Sequence, residues 1–168
     1  MRLRIATVFV LLTLLGASAP ALQPGDGHAR EGVSCQSMEG SVLHVHAHLA
    51  IFDRAQAVPI PSDVGRPAAA GCRYWIHTHT SDGIIHIESP VQRSFTLGQF
   101  FAIWGRRLTP QSVAGHVVGQ GERLRALVGG EPFAADPSTI PLRQHADIII
   151  EVGPPYPSPT PFASWNGL

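Results

Sequence analysis

Apolar and polar positions alternate along most of this chain, and the alternation has the period of strands. Residues 42–52 alternate over a length suited to one long strand, and Val58-Pro-Ile-Pro ends a short return strand. Residues 73–80 and 84–89 flank Asp82-Gly83, a dipeptide that favours a two-residue hairpin turn. Residues 124–128, Gly129-Gly130 and Glu131-Pro-Phe repeat the hairpin format. Residues 146–152 are almost wholly apolar, as in a strand covered on both faces. Segments 49–61 and 124–141 share one order of strand, turn, return strand and Ile-Pro, a weak internal repeat. A single stretch switches to helical spacing. Thr96-Leu-Gly-Gln99 is a capping box, Phe100, Phe101, Ile103 and Trp104 supply an apolar face, and Gly105 stops the helix. Phe101 and Trp104 read as core residues before they read as a ligand platform. The predicted fold class is therefore mainly β: an antiparallel sandwich or barrel-like domain built from hairpins, with one short helix at about 97–104.

The two ends depart from this pattern. Met1-Arg-Leu-Arg4, an apolar run over 5–15 and a small-residue segment ending at Ala21 have the form of a secretory signal peptide over 1–21. The apolar run is about half the length a bilayer-spanning helix needs, so no membrane association is expected after cleavage. Residues 22–34 read as a flexible lead-in, 35–153 as a single β-rich domain, and 154–168 as a Pro-rich extended tail anchored by Phe162 and Trp165. Export to the periplasm, cell surface or medium places Cys35 and Cys72, the only 2 cysteines, where a disulfide is their simplest fate. Neither lies in a C-x-x-C pair, which weakens a thiolate metal site.

Charge narrows the function classes. The 12 basic residues are all arginine and balance 12 acidic ones, leaving no basic footprint for nucleic acid. The absence of lysine excludes P-loop, Schiff-base and Ser-Lys chemistry. No serine elbow, Cys-His pairing or haem-attachment motif is present.

Histidine is the residue in excess, with 9 in 168. His44, His46 and His48 alternate with Leu43, Val45, Ala47 and Leu49, so on a strand the three rings share one face. Rings two residues apart sit about 6.5–7 Å apart at Cα and can converge on one ion. The outer pair cannot, so at most two of the three should ligate a given metal. His77, His79, His86 and Glu88 fall on one face of the Asp82-Gly83 hairpin. A two-residue turn pairs His79 with His86 and His77 with Glu88, and a four-residue loop shifts the partners while keeping the face. Solvated polar histidines are the plain alternative, but six at strict period two are hard to reconcile with chance. His145 is expected to help start the final strand, while His116, in a Gly-rich loop, and His28, in the lead-in, are expected to be incidental.

The same residues carry a resemblance. His46-Ala-His48-Leu-Ala-Ile-Phe, Tyr74-Trp-Ile-His77-Thr-His79, Gly83-Ile-Ile-His86-Ile-Glu88-Ser-Pro and the 95–105 block resemble a family of small exported bacterial and archaeal His-rich domains without an assigned activity. The resemblance runs from about Ser41 to Leu168 and implies that the histidine blocks are a family feature; it implies no substrate. Members tend to have an Asn-Gly-Lys-type turn after the first strand, where this chain has Asp53-Arg-Ala-Gln56, so a looser turn is expected there.

The expected function is exported transition-metal binding (Zn or Cu; sequestration, delivery or sensing) through His44, His46, His48, His77, His79 and His86. Glu88 is placed as a tautomer-fixing partner, a ligand or, in a metalloenzyme, a general base. A metalloenzyme requires three ligands and an open position; a metal-free β interaction module requires histidines bonded to backbone or carboxylates.

Overall fold

A computed structural model describes residues 24–158 and 160–168. The segment 1–21, read above as a signal peptide, lies outside the described residues. After the short strand β1 (Cys35–Gln36), the alternating histidine segment forms the long strand β2 (Leu43–Asp53), which returns as β3 (Gln56–Val58). Next come β4 (Arg73–Tyr74), β5 (Ile76–His77) and β6 (Ile84–Ser89), then helix α1 (Leu97–Trp104). Three two-residue strands, β7 (Leu108–Thr109), β8 (Ser112–Val113) and β9 (His116–Val117), make a small sheet of their own. The hairpin β10 (Arg123–Val128) and β11 (Glu131–Phe133) precedes the last strand, β12 (Ala146–Gly153).

The main sheet has the order β11-β10-β12-β2-β6-β5, with β3 paired to β2, and among the described residues the architecture is sandwich-like with no closed barrel. Its core face follows from the alternation. Ala47, Leu49 and Ile51 of β2, Ile85 and Ile87 of β6, and Ile148, Ile150 and Val152 of β12 are buried together with Leu97, Phe100, Phe101 and Ile103 of α1. Each large apolar side chain so buried contributes about 1.5–3 kcal/mol. The helix forms where the capping box predicts it: Gln99 Oε1 accepts from Thr96 N at 2.9 Å, and Gly105, at φ 73°, closes the C-terminus. Phe101 is core, as expected. Among the described residues, no helix is long and apolar enough to cross a membrane.

The Cys35–Cys72 disulfide is present, with Cα atoms 5.5 Å apart, and ties β1 to the segment entering β4. Such a bond fits an oxidising compartment.

Four expectations are corrected. First, the pairings are not all antiparallel: β12 runs parallel to β2, Asp147 beside His48 and Ile150 beside Ile51. The long excursion through α1 and the small sheet supplies the crossover a parallel neighbour requires. Second, the two-residue turn at Asp82-Gly83 gives way to a longer loop, and His77 pairs with His86 rather than with Glu88. The reason is Thr78, whose N–H donates to Val64 O at 3.0 Å and whose hydroxyl donates to Pro61 O at 3.0 Å, pulling the chain out of β5. Third, the turn at Asp53-Arg-Ala-Gln56 is tight, with Arg54 and Ala55 at φ 49° and 66°. Arg54 is held there by Asp53 at 2.5 Å and by both oxygens of Glu122 at 2.6 Å. Fourth, His116 sits in β9, not in a loop, and its Nδ1 lies 2.8 Å from Asp53 Oδ2.

The tail lies across the other face of the sheet. The Phe162 ring stacks on His48 at 3.8 Å between centroids, and its N–H donates to Asp147 Oδ2 at 2.9 Å. Trp165 packs on His145 at 4.4 Å.

Candidate metal centre

Register, more than sequence proximity, assembles the histidines. β2 and β6 pair so that His46 faces His86 and His44 faces Glu88, while β5 sets His77 on the other side of His86. Directly opposed side chains on one sheet face have Cβ atoms about 4.5–5.5 Å apart, so this row of rings is brought into mutual contact by backbone pairing alone. Centroids of His46 and His86 are 4.6 Å apart, those of His44 and His46 are 4.8 Å apart, and His79 and His86 are 4.3 Å apart. His79 follows the departure of the chain at Thr78 and swings over His86 from outside the strand. Gly83 permits the next step: at φ 84°, a Cβ there would stand 2.4 Å from Leu49 O, so only glycine lets the loop press against β2 before β6 begins.

Two groups result whose ligand atoms lie within 4.8 Å of one another and could hold a metal ion. One is His44, His46, His86 and Glu88; the other is Glu39, His77 and His79. Glu88 lies between them. Its Oε1 is 3.3 Å from His44 Nε2 and 3.5 Å from His86 Nδ1, and its Oε2 is 3.8 Å from His77 Nε2.

The first group is short of hydrogen bonds in a way that bears on its chemistry. Both ring nitrogens of His46, Nδ1 of His86 and Oε2 of Glu88 are buried without a hydrogen-bond partner. Leaving one such atom unsatisfied costs about 1–3 kcal/mol, so four in one patch are a concentrated cost that a bound ion would relieve. Burial also sets protonation. It pushes His86 down to about 3, with His79, His46 and His77 adding like-charge repulsion, and pushes His77 down to about 4, partly opposed by the Tyr74 carbonyl. Burial lowers His46 and His79 as well, and raises Glu88. Near neutral pH the rings are thus neutral and offer lone pairs, the form a metal requires.

Of the predicted residues, His44, His46, His86 and Glu88 come together in one group, and His77 and His79 in the adjoining one. His48 shares their face but belongs to neither. Its Nδ1 lies 2.8 Å from Asp147 Oδ1, and Phe162 covers the ring. His145 also stays outside both groups: its N–H donates to His46 O at 2.7 Å, and its Nε2 lies 2.7 Å from Leu168 O. His28 is exposed.

Sequence reasoning missed four residues here. Glu39, at the second group, comes from the loop before β2 and ion-pairs with Arg73 at 2.6 Å. Gln144 Oε1 accepts from His46 N at 2.8 Å, and Asp147 positions His48. Leu168 lies beside Gln144, which donates to its main-chain oxygen at 3.2 Å. Gln144 and Asp147 reach His46 and His48 because β12 lies parallel to β2, a pairing no local pattern signals, and Leu168 arrives with the tail. The mouth of the first group is a depression of about 480 Å³, lined by His44, His46, His79, His86, Glu88 and Leu168 among others. A larger one, about 730 Å³, lies by the start of α1 and the Arg106–Thr109 segment, away from both groups. Comparison with family models, with curated proteins and with solved structures returns no match to this chain.

Proposed function

We propose that this protein is an exported transition-metal-binding protein whose first ion is held by His44, His46, His86 and Glu88. One observation carries the reading: a buried patch of neutral imidazole nitrogens and a carboxylate oxygen with no hydrogen-bond partners. A metal-free interaction surface has no use for such a patch, because each orphan atom destabilises the fold. Three imidazoles and a carboxylate suit Zn²⁺ or Cu²⁺, and with both cysteines locked in the disulfide no thiolate is on offer for a soft Cu⁺ site. His44 is the accessible ligand, its side chain 56% exposed at the rim, while Glu88 is 6% exposed. An ion can therefore enter and leave past His44, which favours capture and hand-over of the metal above permanent structural use. The disulfide supports a place outside the cytoplasm.

The test is competition with a chelator, using untagged protein. Zn²⁺ or Cu²⁺ should bind stoichiometrically, and His86→Ala should weaken binding about a hundredfold or more. Retained affinity in His86→Ala would refute the assignment.

A further inference from the structure

We propose that the centre is built for two ions, with the Glu88 carboxylate bridging the first to a second held by His77 and His79. This rests on the first ion binding as proposed above.

Three features of the second position carry it. His77 Nδ1 is 2.8 Å from Tyr74 O, to which it donates, so Nε2 carries the lone pair. This backbone-anchored arrangement is the usual way a ligating imidazole is oriented. That Nε2 accepts a hydrogen bond from His79 Nε2 across 3.2 Å, a proton that an ion would replace. Two nitrogens bound at 2.0–2.1 Å to one tetrahedral ion are about 3.3 Å apart, so the pair already has the separation that a shared ion imposes. The remaining observation is Glu88 Oε2, the orphan oxygen turned away from the first group's side of the carboxylate. It belongs to a side chain 6% exposed, has no hydrogen-bond partner, and faces His77 Nε2 at 3.8 Å while Oε1 faces His44 and His86.

A carboxylate with one oxygen turned to each imidazole group is a bridging ligand in form. Bridged pairs sit about 3.5–4 Å apart, and here His77 and His86, one ring from each group, stack at 5.6 Å between centroids. Ring packing links the two halves: His86 touches His46 at 4.6 Å on one side and His79 at 4.3 Å on the other. Glu39, exposed and shared with Arg73, stands at the open side of the second position. The ligand class is a second divalent transition-metal cation.

Copper titration of untagged, chelator-stripped protein, followed by EPR in the presence of a competing chelator, tests this. The first equivalent should give an isolated Cu²⁺ signal. The second should bind without doubling the integrated intensity and should bring up a half-field transition, because the bridged spins couple. His79→Ala, and His79→Gln as a conservative replacement at this partly exposed position, should take up one equivalent and keep the isolated signal to saturation. Circular dichroism confirms folding of both variants. Saturation of the native protein at one equivalent, or two equivalents with additive uncoupled signals, overturns the bridged pair and leaves the first site standing. Failure to bind any copper or zinc overturns the metal reading itself.

Discussion

Replacing His46 by leucine should stabilise the metal-free protein while abolishing its metal site. His46 is 5% exposed, and neither ring nitrogen has a hydrogen-bond partner. An unsatisfied buried polar atom costs about 1–3 kcal/mol. Leucine has a similar volume and no polar atom, and its neighbours on that face are the rings of His44 and His86. Discounting for the two nitrogens sharing one small ring, the net gain is about 2 kcal/mol, or about 4–8 °C in melting temperature for a chain of this size. Zinc should reverse the order. At a free concentration a hundred times the dissociation constant, the native protein gains about 2.7 kcal/mol and the variant gains almost nothing. Thermal or urea unfolding of both proteins, in EDTA and then in zinc, reads both halves. If His46→Leu melts below the native protein in EDTA, the nitrogens are satisfied in solution and the argument from orphaned ligands fails.

Other expectations follow from the same geometry. In the metal-free protein, His77 and His86 are held at about 4 and about 3, below the ordinary 6.5 of the unfolded chain, so between those values the unfolded state binds more protons. Their stabilising contribution is complete above about pH 6.5 and is lost on acidification, at up to about 1.4 kcal/mol per pH unit for each ring. The carboxyl of Glu88, raised by burial, works in the opposite direction as pH rises above its ordinary 4.5. Urea midpoints from pH 7 to 4 should fall in the native protein and fall less steeply in His86→Leu; equal slopes would contradict the shift. Replacing both cysteines by alanine frees a loop of sequence separation 37 and should cost about 4 kcal/mol on the chain-entropy estimate, measured by urea unfolding. His48→Ala should leave metal affinity unchanged while loosening residues 160–168, detected as faster proteolysis or hydrogen exchange there, because His48 serves Asp147 and Phe162. A large loss of zinc affinity in that variant would place His48 in the coordination sphere instead.

Period-two alternation was enough to anticipate β2, β6, the β10–β11 hairpin and the burial of β12. The Thr96–Gln99 capping box and Gly105 delimited α1. Side-chain face is a local property of a strand, so the shared face of His44 and His46 along one strand, and of His86 and Glu88 along another, could be read before any pairing was known. Register could not. The displacement of His77 to a partner two residues away depends on Thr78 bonding to Val64 and Pro61, residues 14 and 17 positions back. The separation of His48 from its neighbours depends on Asp147 and Phe162, which arrive from a parallel strand and a tail roughly a hundred residues later. Identical spacing along β2 thus hides different surroundings: His46 is left without polar partners, and His48 is given one.

The most direct test of the metal centre is ring-nitrogen NMR of ¹⁵N-histidine-labelled protein during addition of one equivalent of Zn²⁺. The ring signals of His44, His46 and His86 should shift to metal-bound values, while those of His48, His116 and His145 keep their metal-free positions. Shifts confined to His28, His116 or His145, or no shift at the first three, would contradict the assignment.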